Sequence, residues 1–161
     1  MPNGPRLLLD NVCYHIITRG NHKQSIFKER QDYKEYLDRL RRYKKKYLLL
    51  LYAYCLMPNH IHLLGEIKKT SDLSRFMSSL QRSYTAYFNE KYSTVGQLWQ
   101  GRFKSKVITK DTYLVDCISY IESNPVKANL VTGIQGYKWS SYPERALGEN
   151  EDRTLLNRLE F

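Results

Sequence analysis

Cysteine is scarce in this chain of 161 residues: Cys13, Cys55 and Cys117 lie far apart and form no CxxC knuckle. Their odd number argues against a disulfide framework and for a reducing cytoplasm. The chain also has no apolar run long enough to span a bilayer, no lipidation signal and no secretory leader, so no membrane partner is expected. The HExxH pattern is absent, which together with the missing CxxC removes the commonest zinc-hydrolase and zinc-finger readings. Repeats, low-complexity segments and an interdomain linker are missing as well. Residues 1–161 therefore read as one domain, with a core over about 12–145 and a charged, partly mobile tail over about 148–161. Acid is in short supply, with 16 Asp and Glu against 26 Lys and Arg, which leaves a net charge of +10. A polyanionic partner follows, and nucleic acid fits better than a membrane. Ribosomal-type proteins are equally basic, so charge alone does not make an enzyme.

Hydrophobic patterning supplies the elements. Residues 12–18 are dense in strand formers and end at the turn signal Arg19-Gly20-Asn21. From Lys28 to Tyr47, apolar positions recur at spacings of three and four, as one helical face requires. The apolar run 48–57 and the run 60–67, separated by Pro58-Asn59, read as an antiparallel hairpin. A second helix follows Thr70-Ser71-Asp72 and continues to about Tyr92, with Leu73, Phe76, Met77, Leu80, Tyr84, Tyr87 and Phe88 on one face. A strand over 102–108 would set Arg102, Lys104 and Lys106 on one side. A third helix is expected from about Asp111 to Asn124, where Pro125 marks an end or break. This order predicts an α+β, ferredoxin-like βαββαβ sandwich: an antiparallel sheet with helices on one face, the other face open, and an added C-terminal helix.

The chemistry concentrates in Met57-Pro58-Asn59-His60-Ile61-His62-Leu63. On a strand, His60 and His62 project to the same side, as one divalent cation requires. Two strand histidines are also compatible with a purely structural role. On the third helix, at about 100° per residue, Tyr113, Cys117, Tyr120 and Asn124 share a narrow stripe. Tyr120 and Asn124 are one turn apart, so a phenol and a carboxamide oxygen can approach one ion, the amide as ligand and the phenol as nucleophile. A core tyrosine and a helix-ending asparagine would fit the same spacing.

Five segments occur in one order: Tyr14-His15-Ile16-Ile17-Thr18-Arg19-Gly20-Asn21, the histidine motif, Gly96-Gln97-Leu98-Trp99-Gln100-Gly101-Arg102-Phe103-Lys104-Ser105, Tyr120-Ile121-Glu122-Ser123-Asn124-Pro125, and Trp139-Ser140-Ser141-Tyr142. Over roughly residues 12–145 this pattern resembles the single-tyrosine HUH transposases, and among them the REP-associated tyrosine transposases. The resemblance implies an endonuclease and strand transferase on single-stranded DNA beside a hairpin or palindrome. It implies Mg²⁺ or Mn²⁺ on His60 and His62, Tyr120 as the nucleophile, and a 5′-phosphotyrosyl intermediate with a free 3′-OH. Related insertion-sequence enzymes carry Gln where this chain has Asn124, so the carboxamide of the third ligand is kept and its reach is shortened. Many of those relatives are homodimers, whereas REP-associated members can act as monomers, and both states stay open. The implied setting is the cytoplasm, beside the nucleoid of a prokaryotic host.

Candidate DNA contacts are Arg19, Arg39, Arg41, Arg42, Lys44, Arg102, Lys104 and Lys106 for phosphates, against a merely solvated face. Trp99 and Phe103 are candidates for stacking on unpaired bases, or for burial. His15 suits a structural place in the first strand, with a role behind the metal ligands as the alternative. The competing function is a catalytically silent hairpin-binding protein. A metal-dependent RNA-processing protein fits the composition but not the motifs.

Overall fold

The computed structural model describes residues 10–148 and 155–159. Four strands, β1 (Val12–Arg19), β2 (Leu50–Leu56), β3 (His60–Ile67) and β4 (Lys104–Ile108), form one sheet in the order β2-β3-β1-β4. Every neighbouring pair is antiparallel. Helix α1 (Arg30–Lys46) connects β1 to β2 and α2 (Thr70–Tyr92) connects β3 to β4. This is the ferredoxin-like arrangement that the sequence predicts.

Strand alternation divides the molecule into two layers of core. Tyr14 and Ile16 of β1, with Ile61, Leu63 and Ile67 of β3, face α1 and α2. There they meet Tyr36 and Leu40 of α1 and the stripe Leu73, Phe76, Met77, Leu80, Tyr84 and Phe88 of α2, all buried. At about 1.5–3 kcal/mol for each fully buried large side chain, this layer holds most of the stabilising apolar burial. Asp32 joins the two helices. Its fully buried carboxylate accepts from the Lys28 and Glu29 amides, from the Tyr87 and Tyr92 hydroxyls and from the Lys91 amine.

The opposite sheet face is not left open. Helix α3 (Thr112–Lys127) lies across β2, β3 and β4, and buries Leu114, Cys117, Ile118 and Ile121 against Cys13, Tyr52, Ala53, Cys55 and Leu64. The chain thus carries a helix on each side of the sheet, and α3 shields part of the face that bears the histidines. Its far flank is fixed by Glu122, buried, which accepts from the Ser141 hydroxyl at 2.7 Å and pairs with Arg145 of α4 (Tyr142–Leu147).

Three boundaries differ from the sequence expectation. Helix α3 runs through Pro125 instead of stopping at Asn124. Proline cannot donate to the Ile121 carbonyl one turn back, but the Asn124 side-chain amide donates to it at 3.3 Å and to the Tyr120 carbonyl at 3.0 Å. Strand β4 begins at Lys104, because Gly101, at φ 63°, turns the chain just before it. Within the expected mobile tail, residues 149–154 and 160–161 lie outside the described residues, whereas 155–159 dock on the sheet. Leu155 is buried, and Asn157 exchanges hydrogen bonds with both backbone groups of Leu51. Together with the bridge from Ser140 to Cys55, this covers the outer edge of β2.

Candidate active site

His60 and His62 fall on the even positions of β3, so both rings project to the α3 face while Ile61 and Leu63 enter the α1–α2 core. Their ring centroids are 5.1 Å apart. Each ring is held through Nδ1. His60 Nδ1 lies 2.7 Å from Asn59 Oδ1, and because a carbonyl oxygen only accepts, His60 carries its proton there. His62 Nδ1 lies 2.9 Å from Nε2 of His15. That third imidazole arrives through pairing register: Ile17 stands opposite His62, and His15 is one pleat further along the same face of β1. The two rings stack at 5.2 Å and 25°.

Tyr120 completes the cluster from above. Its ring meets both His15 and His62 edge-on at 6.1 Å. Tyr120 is 48% exposed, so its ring is open to a substrate as well as to the histidines. The amine of Lys127, two turns later on α3, lies 4.4 Å over the Tyr120 ring. Burial lowers His62 to about 3, helped by the neighbouring His15, His60 and Arg19 charges, and lowers His15 to about 4, helped by Lys106. His60 is lowered by burial and by Arg19. All three rings are held in the neutral form that a cation requires of its ligands.

The donor set fits a divalent ion. With Nδ1 of both histidines engaged, Nε2 of His60 and of His62 are the candidate ligating atoms. Among the described residues no group of three His, Cys, Asp or Glu side chains is placed to share one ion, in keeping with His15 being turned toward His62. Two protein nitrogens leave most of a coordination sphere to oxygen, which suits Mg²⁺ or Mn²⁺ when phosphate supplies it. Asn124, half-buried on α3, spends its amide nitrogen on its own helix, which leaves Oδ1 as its candidate ligating atom.

A basic surface adjoins the cluster. Lys106 lies opposite His15 and Lys104 opposite Ile17, so both lysines share the histidine face and are exposed, as is Arg19 opposite His60. The other sequence candidates lie elsewhere. Arg102 precedes β4 and lines an open groove of about 830 Å³ between α2 and the 96–103 segment, with Arg82. Trp99 and Phe103 belong to the α1–α2 core. The indole nitrogen of Trp99 donates to the Thr85 hydroxyl at 2.9 Å, and neither ring is free to stack on a base.

The basic run of α1 lies apart from the histidines. Arg39 bonds Ser83 and pairs with Glu35, Arg41 pairs with Asp38, and Lys44 holds the Leu155 carbonyl and Asn157. Arg42 is exposed, with its guanidinium 5.9 Å from the Tyr43 ring. All four stand on the helix layer, on the side of the sheet opposite the histidines. Tyr113 shares the Tyr120 stripe and is 67% exposed. The thiols of Cys13 and Cys117 are pushed up to about 11, chiefly by burial, so they act as packing groups.

The fold that carries these groups has counterparts among known proteins. The family model of IS200-like transposases matches residues 9–124, a span that includes all of these groups, and the chain belongs to that family. Its resemblances are to REP-associated tyrosine transposases in particular. Over 101 residues it is 30% identical to a Haemophilus influenzae protein provisionally named as one, a match that spans 56% of this chain and 57% of that protein. The structure of a REP-associated tyrosine transposase bound to a REP hairpin superposes over the whole of both chains with a TM-score of 0.72 at 19% identity. A provisional transposase from Deinococcus radiodurans R1 matches with a TM-score of 0.51 at 19% identity, over 75% of this chain and 96% of that one.

Proposed function

We propose that this protein is a metal-dependent endonuclease and strand transferase that acts on single-stranded DNA beside a hairpin or palindromic element, with Tyr120 as its nucleophile. The observation that carries the proposal is the Tyr120 ring, half exposed and 6.1 Å from His62, at the edge of a lysine-bearing sheet face. A buried core tyrosine would be closed to a substrate. The relative seen with a REP hairpin supports the choice of DNA structure, and the net charge of +10 supports a polyanion.

Lys104, Lys106 and Arg19 bind the phosphates of the strand and lay one of them between Tyr120 and the histidines. Tyr120 Oη forms a bond to that phosphorus while the bond from phosphorus to the 3′ oxygen breaks. The phenolic proton passes to solvent, and the departing 3′ oxygen takes up a proton from solvent to leave as a hydroxyl. The product is a 5′-phosphotyrosine, which conserves the bond energy, so a 3′-OH can attack it and rejoin a strand without ATP. His60 and His62, with the Asn124 carboxamide oxygen, would hold Mg²⁺ or Mn²⁺. When bound, such an ion offsets the charge that builds on a non-bridging phosphate oxygen. Since Tyr120 and both histidines of one chain already converge, a single copy suffices for this geometry. The reduced thiols and the DNA substrate suit a cytoplasmic setting beside the nucleoid.

The test is incubation with a single-stranded hairpin oligonucleotide and Mn²⁺, followed by denaturing electrophoresis. A covalent adduct in the native protein that is absent from His60→Ala and His62→Ala supports the reading. Tight hairpin binding without any adduct selects a silent binding protein instead.

A further inference from the structure

We propose that His15 is a positioning residue: it accepts the Nδ1 proton of His62 and thereby fixes His62 in the tautomer whose Nε2 is free for a cation. This rests on the metal-dependent reading above, and it adds a residue that lies outside the histidine motif. Two neutral imidazoles whose nitrogens approach to 2.9 Å must share one proton, one ring donating and the other accepting. Either direction satisfies the pair. Only donation by His62 leaves its Nε2 with a lone pair, because the other direction places the proton of His62 on Nε2.

The surroundings support the first direction. His60, the partner ligand, has the same arrangement, with Nδ1 committed to Asn59 Oδ1 and Nε2 left over. The pair would thus present two matched nitrogens to one ion, each backed by its own acceptor. His15 is itself held firmly. It is buried in β1, between the paired strands β3 and β4, and stacks on His62 at 5.2 Å. Its other side meets the Tyr120 ring edge-on at 6.1 Å, so one imidazole touches both a candidate ligand and the candidate nucleophile. Acceptors behind ligating histidines fix ring orientation and tautomer, and their loss typically costs roughly 10–100-fold in metal affinity.

The experiment has two arms. In metal-free native protein, long-range proton–nitrogen correlation spectra of the histidine rings should show His62 protonated on Nδ1. A His62 protonated on Nε2 overturns the proposal without reference to metal or activity. In the second arm, Mn²⁺ binding is measured by calorimetry on the native protein, His15→Phe and His15→Gln, with folding checked by circular dichroism. His15→Phe should bind Mn²⁺ roughly 10–100-fold more weakly. His15→Gln, whose carboxamide oxygen reaches as far as the imidazole Nε2, should recover most of that loss. Equal Mn²⁺ affinity in all three proteins sinks the role of His15 while leaving the metal site intact. A native protein that does not bind Mn²⁺ counts against the metal reading itself, and is told apart because the tautomer result stands alone. If His15→Phe does not fold, the native spectrum alone decides the matter.

Discussion

Asp32 offers a quantitative test of how the helix layer is held. Burial alone would raise its carboxyl, but hydrogen bonds from Lys91, Tyr92, the Lys28 amide and Tyr87 outweigh burial and hold it at about 2, against an ordinary value of 3.8. A group depressed in the folded state contributes stability that is fully present above its unfolded value and is lost as pH falls through its folded value. For Asp32 that window runs from about pH 4 down to about pH 2, and the contribution lost is about 2 kcal/mol. Asp32→Asn removes the titration and also leaves Lys91 and the two hydroxyls facing an amide that cannot accept from all of them, at a cost of about 3 kcal/mol at pH 7. Urea unfolding followed by circular dichroism should therefore show the two proteins well separated at pH 7 and closer together at pH 2.5. Other carboxylates titrate in both, so the difference between the two curves isolates Asp32. A gap that stays constant from pH 7 to pH 2.5 would refute the assignment of the network to the ionised carboxylate.

Other consequences are more local. Lys104→Ala and Lys106→Ala should each lower the log–log salt slope of hairpin DNA binding by roughly 0.7 to 0.9, measured by fluorescence anisotropy, whereas Lys44→Ala should leave it unchanged. Arg145→Ala strips the buried Glu122 carboxylate of its partner and should destabilise the protein by about 2 kcal/mol in urea unfolding, less than for a fully buried pair because Arg145 is partly exposed. Gly20→Ala should destabilise by about 1–3 kcal/mol, since a Cβ there would lie 2.5 Å from the Gln24 carbonyl oxygen; a melting temperature equal to the native one would contradict that.

Periodicity located the three long helices because each buries one face, and near-continuous apolar runs located β1, β2 and β3 because the two helix layers cover both faces of those strands. The His60 and His62 pair and the Tyr120 stripe were visible because both depend on side-chain direction within a single element. For His15 the sequence left a structural place and a role behind the ligands as alternatives, because its contact with His62 depends on the β1–β3 register, which no single strand encodes. The basic run of α1 and the Trp99–Phe103 segment show the limit of residue type in a common way. Residue type names a capacity to bind phosphate or stack on a base, but Arg39 and Lys44 spend that capacity inside the fold, and Trp99 and Phe103 are buried. Arg102 left the lysine stripe because Gly101 turns the chain just ahead of it. The continuation of α3 past Pro125 depended on a side-chain amide replacing a missing backbone donor, which a proline rule does not foresee.

Tyr120 is proposed as the nucleophile, although Tyr113 shares its stripe and is more exposed. The two lie roughly 10 Å apart along the helix at 1.5 Å per residue, so they cannot both reach one phosphate beside the histidines. The most direct measurement is mass-spectrometric identification of the DNA-linked peptide formed with a hairpin oligonucleotide and Mn²⁺, in the native protein, Tyr120→Phe and Tyr113→Phe. The expected result is a phosphotyrosyl bond on Tyr120, no adduct in Tyr120→Phe, and an adduct retained in Tyr113→Phe. A Tyr120→Phe protein that still forms the adduct at the native rate would contradict it.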